Sequence, residues 1–254
     1  MLVAKDGHIV LEEAYGHHTY KRKNETEASS VFDLASVTKV AATTLSLMAL
    51  EQDGLIDLQD SLGQHLPFLE GSNKSQLLIA DVLRHRSGLK AWIPFYLETV
   101  DSRKRPIDSL YKKRQDVDFS IEVASKLFMK ESYVDSVWAK IVESEIKPEQ
   151  GYVYSDLGFY LLAALVKEKT GKRIDAFVHE RFYGPLGLDR LGFNPLEKFG
   201  KSEIPPTERD NYFRQQVVQG YVHDMGASML GGVSGHAGLF GAASDLSVIM
   251  QMLL

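Results

Sequence analysis

The spacing of apolar residues changes character twice within the first fifty positions. Leu2, Val3 and Ala4 precede Asp6-Gly7, and Ile9, Val10 and Leu11 follow it. Two short extended runs around a pair that accepts positive φ predict a tight hairpin, with strands over 2–5 and 8–11. A second extended stretch is predicted over 14–20. From Ser36 the period lengthens: Val37, Val40, Ala41, Thr44, Leu45 and Met48 recur at helical spacing and stop before Gly54. A strand pair therefore feeds a long helix that begins at Ser36.

Beyond Gly54 the pattern predicts turns to about residue 69 and a short helix over 78–83 that breaks at Ser87-Gly88. Residues 96–147 mix charge with helical spacing and are read as a peripheral helical insertion. Leu157, Tyr160, Leu161, Ala164 and Leu165 mark one face of a helix over 156–170, with Gly171 as its stop. Ile174, Phe177, Val178 and Phe182 mark another, ending before Gly184-Pro185. Residues 199–220 read as polar loop, and Gly231, Gly232, Gly235, Gly238 and Gly241 as a flexible segment. Ser244-Asp245 opens a final helix carrying Leu246, Ile249, Met250 and Leu253. There is no internal repeat of 20 to 50 residues and no low-complexity tract.

Composition narrows the chemistry. With 254 residues, 44% hydrophobic, 25% charged and a net charge of −5, the chain is an ordinary globular one. Its apolar runs fall short of a membrane span, and its acidic balance lacks the clustered basic face that nucleic acid requires. Arg103-Lys104-Arg105 and Lys112-Lys113-Arg114 read as a solvated face. The absence of cysteine excludes a disulfide, a thiolate nucleophile and a zinc–thiolate site. Adjacent His17 and His18 on a strand would face opposite sides, and no zinc-spaced motif, Walker loop or dinucleotide glycine pattern occurs. No metal and no cofactor are expected. Gly232-Val233-Ser234-Gly235-His236 misses the nucleophile elbow at its last position.

Oxygen and nitrogen groups must then carry any catalysis. Ser36 and Lys39 form a compact pair, because residues three apart share a helix face, and the helix amino end disfavours a protonated amine there. Ser87/Lys90, Ser109/Lys112 and Ser144/Lys147 share the spacing but lie in loop or charged stretches. Tyr154-Ser155-Asp156 precedes the helix over 156–170. Tyr154 could relay a proton beside a lysine; alternatively it packs in a core while Ser155 or Asp156 caps the helix. His223-Asp224 could form an orienting dyad, or His223 could be satisfied locally in a loop.

Taken in order, Leu34-Ala35-Ser36-Val37-Thr38-Lys39, Leu83-Arg84-His85-Arg86-Ser87-Gly88-Leu89, Tyr154-Ser155-Asp156-Leu157-Gly158 and Pro185-Leu186-Gly187-Leu188 resemble the β-lactamase-related serine hydrolases. This family includes class C β-lactamases, penicillin-binding DD-peptidases and serine esterases. Gln219-Gly220-Tyr221-Val222-His223-Asp224 with Gly231 to Phe240 is similar to a bacterial subgroup often linked to a β-N-acetylglucosaminidase. The resemblance implies an α+β fold of the β-lactamase/transpeptidase type, an antiparallel sheet flanked by helices. The sheet domain would comprise 1–50 and 190–254, and a mainly helical domain 51–189.

The same resemblance implies Ser36 as nucleophile, Lys39 as base and Tyr154 as proton relay. Asp156, His223 and His236 would contact substrate. Asp156 stands where many relatives carry asparagine, which replaces an amide donor by a charge, disfavours β-lactams and suits esterases. His236-Ala237-Gly238 has the form of the family's third motif, although Ala237-Gly238-Leu239-Phe240 with Asp245-Leu246 fits better the stretch that precedes it. The third motif, three further strands and half of the oxyanion hole are then expected beyond Leu254, and this chain alone is expected to be poorly active. Implied substrates are small esters or amides or peptidoglycan-derived peptides, hydrolysed through an acyl-enzyme outside the cytoplasm. A non-catalytic relative that binds cell-wall fragments is the alternative.

Overall fold

Asp6 and Gly7 take φ values of 50° and 75°, a turn whose twist suits antiparallel strands. The computed structural model describes residues 1–147 and 151–254, and in it β1 (Leu2–Lys5) pairs with β2 (His8–Glu12) as predicted. Residues 14–20 do not form the predicted strand. Gly16 turns left-handed at φ 79°, and the segment bonds locally, His18 N to Asn24 O and Thr26 N to Gly16 O.

After β3 (Phe32–Asp33) the chain enters its first helical stretch through Ala35, held at φ 46°. The predicted uniform α-helix is replaced by π-helical winding over Lys39–Thr44, which continues as α1 (Leu45–Gln52). The Thr44 hydroxyl donates back to Lys39 O at 2.8 Å inside the widened turn. Gly54, at φ 68°, ends the stretch.

After α2 (Ile79–Leu83), the segment expected to be a helical insertion contains a three-stranded antiparallel sheet. Its strands are β4 (Tyr111–Lys112), β5 (Ile121–Ala124) and β6 (Leu127–Met129), with β6 central, and α3 (Tyr133–Glu143) follows. Strands this short show no readable alternation, and the charges belong to turns. Asp116 Oδ1, for example, accepts from Asp118 N and Phe119 N.

Helix α4 (Asp156–Thr170) ends at left-handed Gly171, φ 69°. Next come α5 (Ile174–Val178) and β7 (Leu191–Phe193). The hairpin β8 (Glu208–Asp210) and β9 (Gln216–Val218) lies within the stretch read as loop. Helix α6 (Met225–Met229), β10 (Leu239–Gly241) and α7 (Ala243–Met252) complete the order. Strand β10 sits between β3 and β7, antiparallel to both, and so joins the amino-terminal region to the carboxyl-terminal one.

Two apolar clusters share one helix. Leu47 and Leu50 pack with Val82, Val137, Ile141 and the α4 residues Leu157, Leu161 and Leu165. Ala41, Ala42 and Leu45, one to two turns earlier, pack instead with Ile174, Val178, Tyr183, Leu239 and Ile249. Each fully buried leucine contributes roughly 1.5–3 kcal/mol of apolar burial, so both ends of this helix are fixed, and its head is held at the seam between the clusters. Among the described residues no helix is long and apolar enough to cross a membrane.

Candidate active site

Ser36 occupies the first turn of the helical stretch, and the backbone before it is strained: Ala35 is a non-glycine residue in the left-handed region. Asp33 Oδ1 accepts from Ala35 N at 2.8 Å and holds that conformation, and Asp33 Oδ2 accepts from His223 N at 2.6 Å. Burial nevertheless raises the Asp33 carboxyl above its ordinary range, against the pull of those two amides. The result is an exposed Ser36 beside a Lys39 that is 4% exposed.

Lys39 Nζ lies 2.9 Å from Ser36 Oγ, 2.7 Å from Asp156 Oδ1 and 3.1 Å from His236 O. Three acceptors match the three donors of an ammonium. In the neutral amine two of these contacts can persist while the lone pair faces Ser36. Two of the other serine–lysine spacings have a member engaged elsewhere: Lys112 Nζ meets Asp116, and Ser144 Oγ donates to Ile141 O.

Asp156 and Tyr154 arrive on a strap sewn to the segment after α2. Val153 N donates to His85 O, Ser155 Oγ to Lys90 O at 2.6 Å, and Asp156 N to Ala91 O. Ser155 stands at the amino-terminal position of α4 without a side-chain cap bond, and Tyr154 is 43% exposed. The capping and core-packing alternatives therefore do not describe this strap. Tyr154 meets Lys39 with its ring, whose centroid is 4.8 Å from Nζ.

His85 belongs to this site, although its motif position had suggested no role for it. Its ring lies 4.4 Å from that of Tyr154 and 5.3 Å from that of Phe159, and its Nδ1 accepts from Ser155 N at 3.0 Å. Burial, reinforced by the neighbouring Lys39 charge, lowers the His85 pKa, and the accepting Nδ1 leaves the proton of the neutral ring on Nε2. His85 itself sits at a left-handed φ of 56°, a feature invisible in sequence.

The two other histidines lie in unlike surroundings. His223 does not pair with Asp224. Its exposed ring reaches towards Glu208 Oε1 at 3.6 Å, while the Asp224 carboxylate turns inward, capping α6 through Ala227 N at 2.7 Å and meeting His236 Nε2 at 2.8 Å. The His236 residue is 1% exposed, with Nδ1 2.8 Å from Ser234 Oγ and the ring stacked on Tyr160 at 4.2 Å. Its side chain is thus fully occupied inside the protein, and what His236 presents to Lys39 is its backbone carbonyl. No group of three or more histidine, aspartate or glutamate residues among the described ones could hold a metal.

A family model described as beta-lactamase matches residues 1–254. The N-acetylmuramyl-L-alanine amidase of Bacillus subtilis (strain 168) is 30% identical over 279 residues, covering 100% of this chain and 58% of that protein. A putative D-alanyl-D-alanine carboxypeptidase of Salmonella schwarzengrund is 32% identical over 282 residues, covering 100% and 59%. The chain thus spans under two thirds of the length of these curated relatives. Among solved structures, the octameric penicillin-binding protein homologue from Pyrococcus abyssi superposes with a TM-score of 0.68 at 19% identity, covering 99% of this chain and 51% of that one.

Proposed function

The chain belongs to the beta-lactamase family, and from that premise we propose that it is a serine hydrolase in which Ser36 attacks an ester or amide carbonyl. The observation that carries this reading is the exposed Ser36 Oγ set 2.9 Å from the buried Lys39 amine at the head of a helix. Neutral Lys39 takes the Ser36 proton as the Oγ–carbon bond forms. Tyr154, beside Lys39, gives its hydroxyl proton to the departing nitrogen or oxygen as its bond to the carbonyl carbon breaks, and recovers a proton from the Lys39 ammonium. Water then hydrolyses the acyl-enzyme, releasing the acid and restoring the Ser36 hydroxyl.

The names of the relatives, an amidase and a putative carboxypeptidase, support peptidoglycan-derived peptides as the first substrate class, with simple esters beside them and β-lactams second. Asp156 argues for placing simple esters ahead of β-lactams. A carboxylate accepts but cannot donate, so it lacks the amide hydrogen that an asparagine would offer to an acylamino carbonyl.

Incubation with a fluorophosphonate probe followed by peptide mass spectrometry tests the reading. Adduct on Ser36, absent from Ser36→Ala, is expected. A folded full-length protein that takes up no label at Ser36 would overturn it in favour of a cell-wall-fragment-binding relative.

A further inference from the structure

Lys39 is held from two sides, and the two are unlike. Asp156 reaches it with a side chain, whereas His236 reaches it with a backbone carbonyl. A carbonyl in a glycine-rich segment has no fixed position of its own. Gly235 precedes it and Gly238 follows closely, at φ 115°, so something must hold residue 236 in place.

The His236 ring supplies the anchor. Its Nε2 meets Asp224 Oδ1 at 2.8 Å, its Nδ1 meets Ser234 Oγ at 2.8 Å, and its face rests on Tyr160. Asp224 is itself fixed by Ala227 N. The hydrogen bond and charge of His236, together with that backbone amide, outweigh burial and lower the Asp224 carboxyl to about 2. Ionised Asp224 accepts only, which places a proton on Nε2. Tyr160 and Asp224 are the titratable groups that face the ring, and Lys39 lies on the carbonyl side. Immediately upstream, Gly235 O accepts from Thr43 Oγ1 at 2.6 Å, so two consecutive carbonyls are received by side chains of one π-helical segment.

We propose that the buried Asp224–His236 pair is a positioning device for Lys39: it fixes the His236 carbonyl, which takes one amine hydrogen and thereby aims the amine at Ser36 Oγ. Asp224 and His236 act through Lys39 and touch no reacting atom. The inference rests on the reading of Ser36 as the nucleophile. It assigns His236 a role other than the substrate contact expected from its motif.

The test compares rate constants for fluorophosphonate labelling of Ser36 within two pairs of variants. In His236→Gln the side-chain nitrogen can still reach Asp224, whereas in His236→Asn the shorter amide can reach only Ser234. In Asp224→Asn an acceptor remains for Nε2, whereas in Asp224→Ala none does. The amplitude of labelling reports the folded fraction, and the rate constant of that fraction reports aim. Displacements near 1 Å in such geometry cost up to about a hundredfold. His236→Asn and Asp224→Ala are therefore expected to label about tenfold or more slowly than wild type, and the bond-keeping member of each pair faster than its partner. Equal rate constants within both pairs, with wild-type protein labelled at Ser36, would overturn the positioning role and leave the nucleophile standing. Wild-type protein unlabelled at Ser36 would overturn the nucleophile and this inference with it.

Discussion

Substituting Gly235 by alanine tests whether the segment behind Lys39 is as closely fitted as its distances imply. A Cβ at this position would sit 2.1 Å from Phe159 O and 3.0 Å from Ala163 Cβ. Carbon and carbonyl oxygen normally approach to about 3.3 Å, so the two backbones must separate by about 1 Å. Phe159 lies within α4, where its carbonyl is tied into the helix, and Gly235 O is tied to Thr43. Neither side can yield cheaply. Overpacking of a well-filled site costs about 1–3 kcal/mol, and a backbone-to-backbone clash belongs at the upper end. At about 2–4 °C per kcal/mol for a chain of this size, Gly235→Ala should melt ~6–12 °C below wild type. Gly192 is the control: no atom lies within 4 Å of a Cβ built there, and its φ is not left-handed. Thermal unfolding followed by circular dichroism measures both. Melting temperatures for Gly235→Ala and Gly192→Ala that agree within about 2 °C would refute the close approach of 235 to α4.

Two further outcomes follow from buried charge. The Asp224 carboxyl, 22% exposed as a side chain, is lowered from 3.8 to about 2 in the folded protein. The unfolded chain therefore binds its proton first as pH falls, and a stabilisation of ~2 kcal/mol, fully present above about pH 4, is lost as pH drops towards about 2. Asp224→Asn should flatten the pH dependence of urea-unfolding midpoints in that window; an unchanged slope would count against the ion pair. Arg214 and Asp210 have side chains 0% exposed and 2.8 Å apart, and Arg214 also donates to Val222 O and His223 O. Arg214→Met should cost about 3–5 kcal/mol by stranding the Asp210 charge, and Arg214→Met with Asp210→Asn, which keeps the Oδ1 acceptor for Tyr212 N and Phe213 N, should recover much of it in the same assay. A double variant no more stable than Arg214→Met would disprove the stranding.

Local rules made parts of this molecule readable. Asp6-Gly7 could do little other than turn, Gly171 ended α4 at a φ that side chains rarely adopt, and Ser36 and Lys39 met because three residues make nearly one helical turn. The family motifs added the strap that carries Tyr154 and Asp156. What escaped depended on partners distant in sequence or on backbone states that residue type does not announce. The small sheet between Tyr111 and Met129 uses strands too short to show alternation. His236 and Asp224 are 12 residues apart, and nothing in either neighbourhood says that the ring turns towards the carboxylate while the carbonyl turns towards Lys39. His85 and Ala35 are strained in ways that only neighbouring hydrogen bonds explain.

The π-helical turn over Lys39–Thr44 also constrains how this stretch can change over generations. A π turn holds about one residue more than an α turn. Deleting a single residue between Ser36 and Leu45 would let the winding relax to the regular form, and each residue there is worth about 100° of rotation. The Ser36 end would then keep nearly the same angular phase relative to Leu47 and Leu50, which are locked in the larger cluster, because the extra residue is lost together with the wider turn that held it; a deletion inside the regular helix α1 would instead swing it by about 100°. Substitution is a different matter: Val40 is 46% exposed and can exchange for other helix-compatible side chains without moving its neighbours. Between the serine and the buried leucines, therefore, the chain can shed one residue where it is wound wide, but not where it is wound regularly.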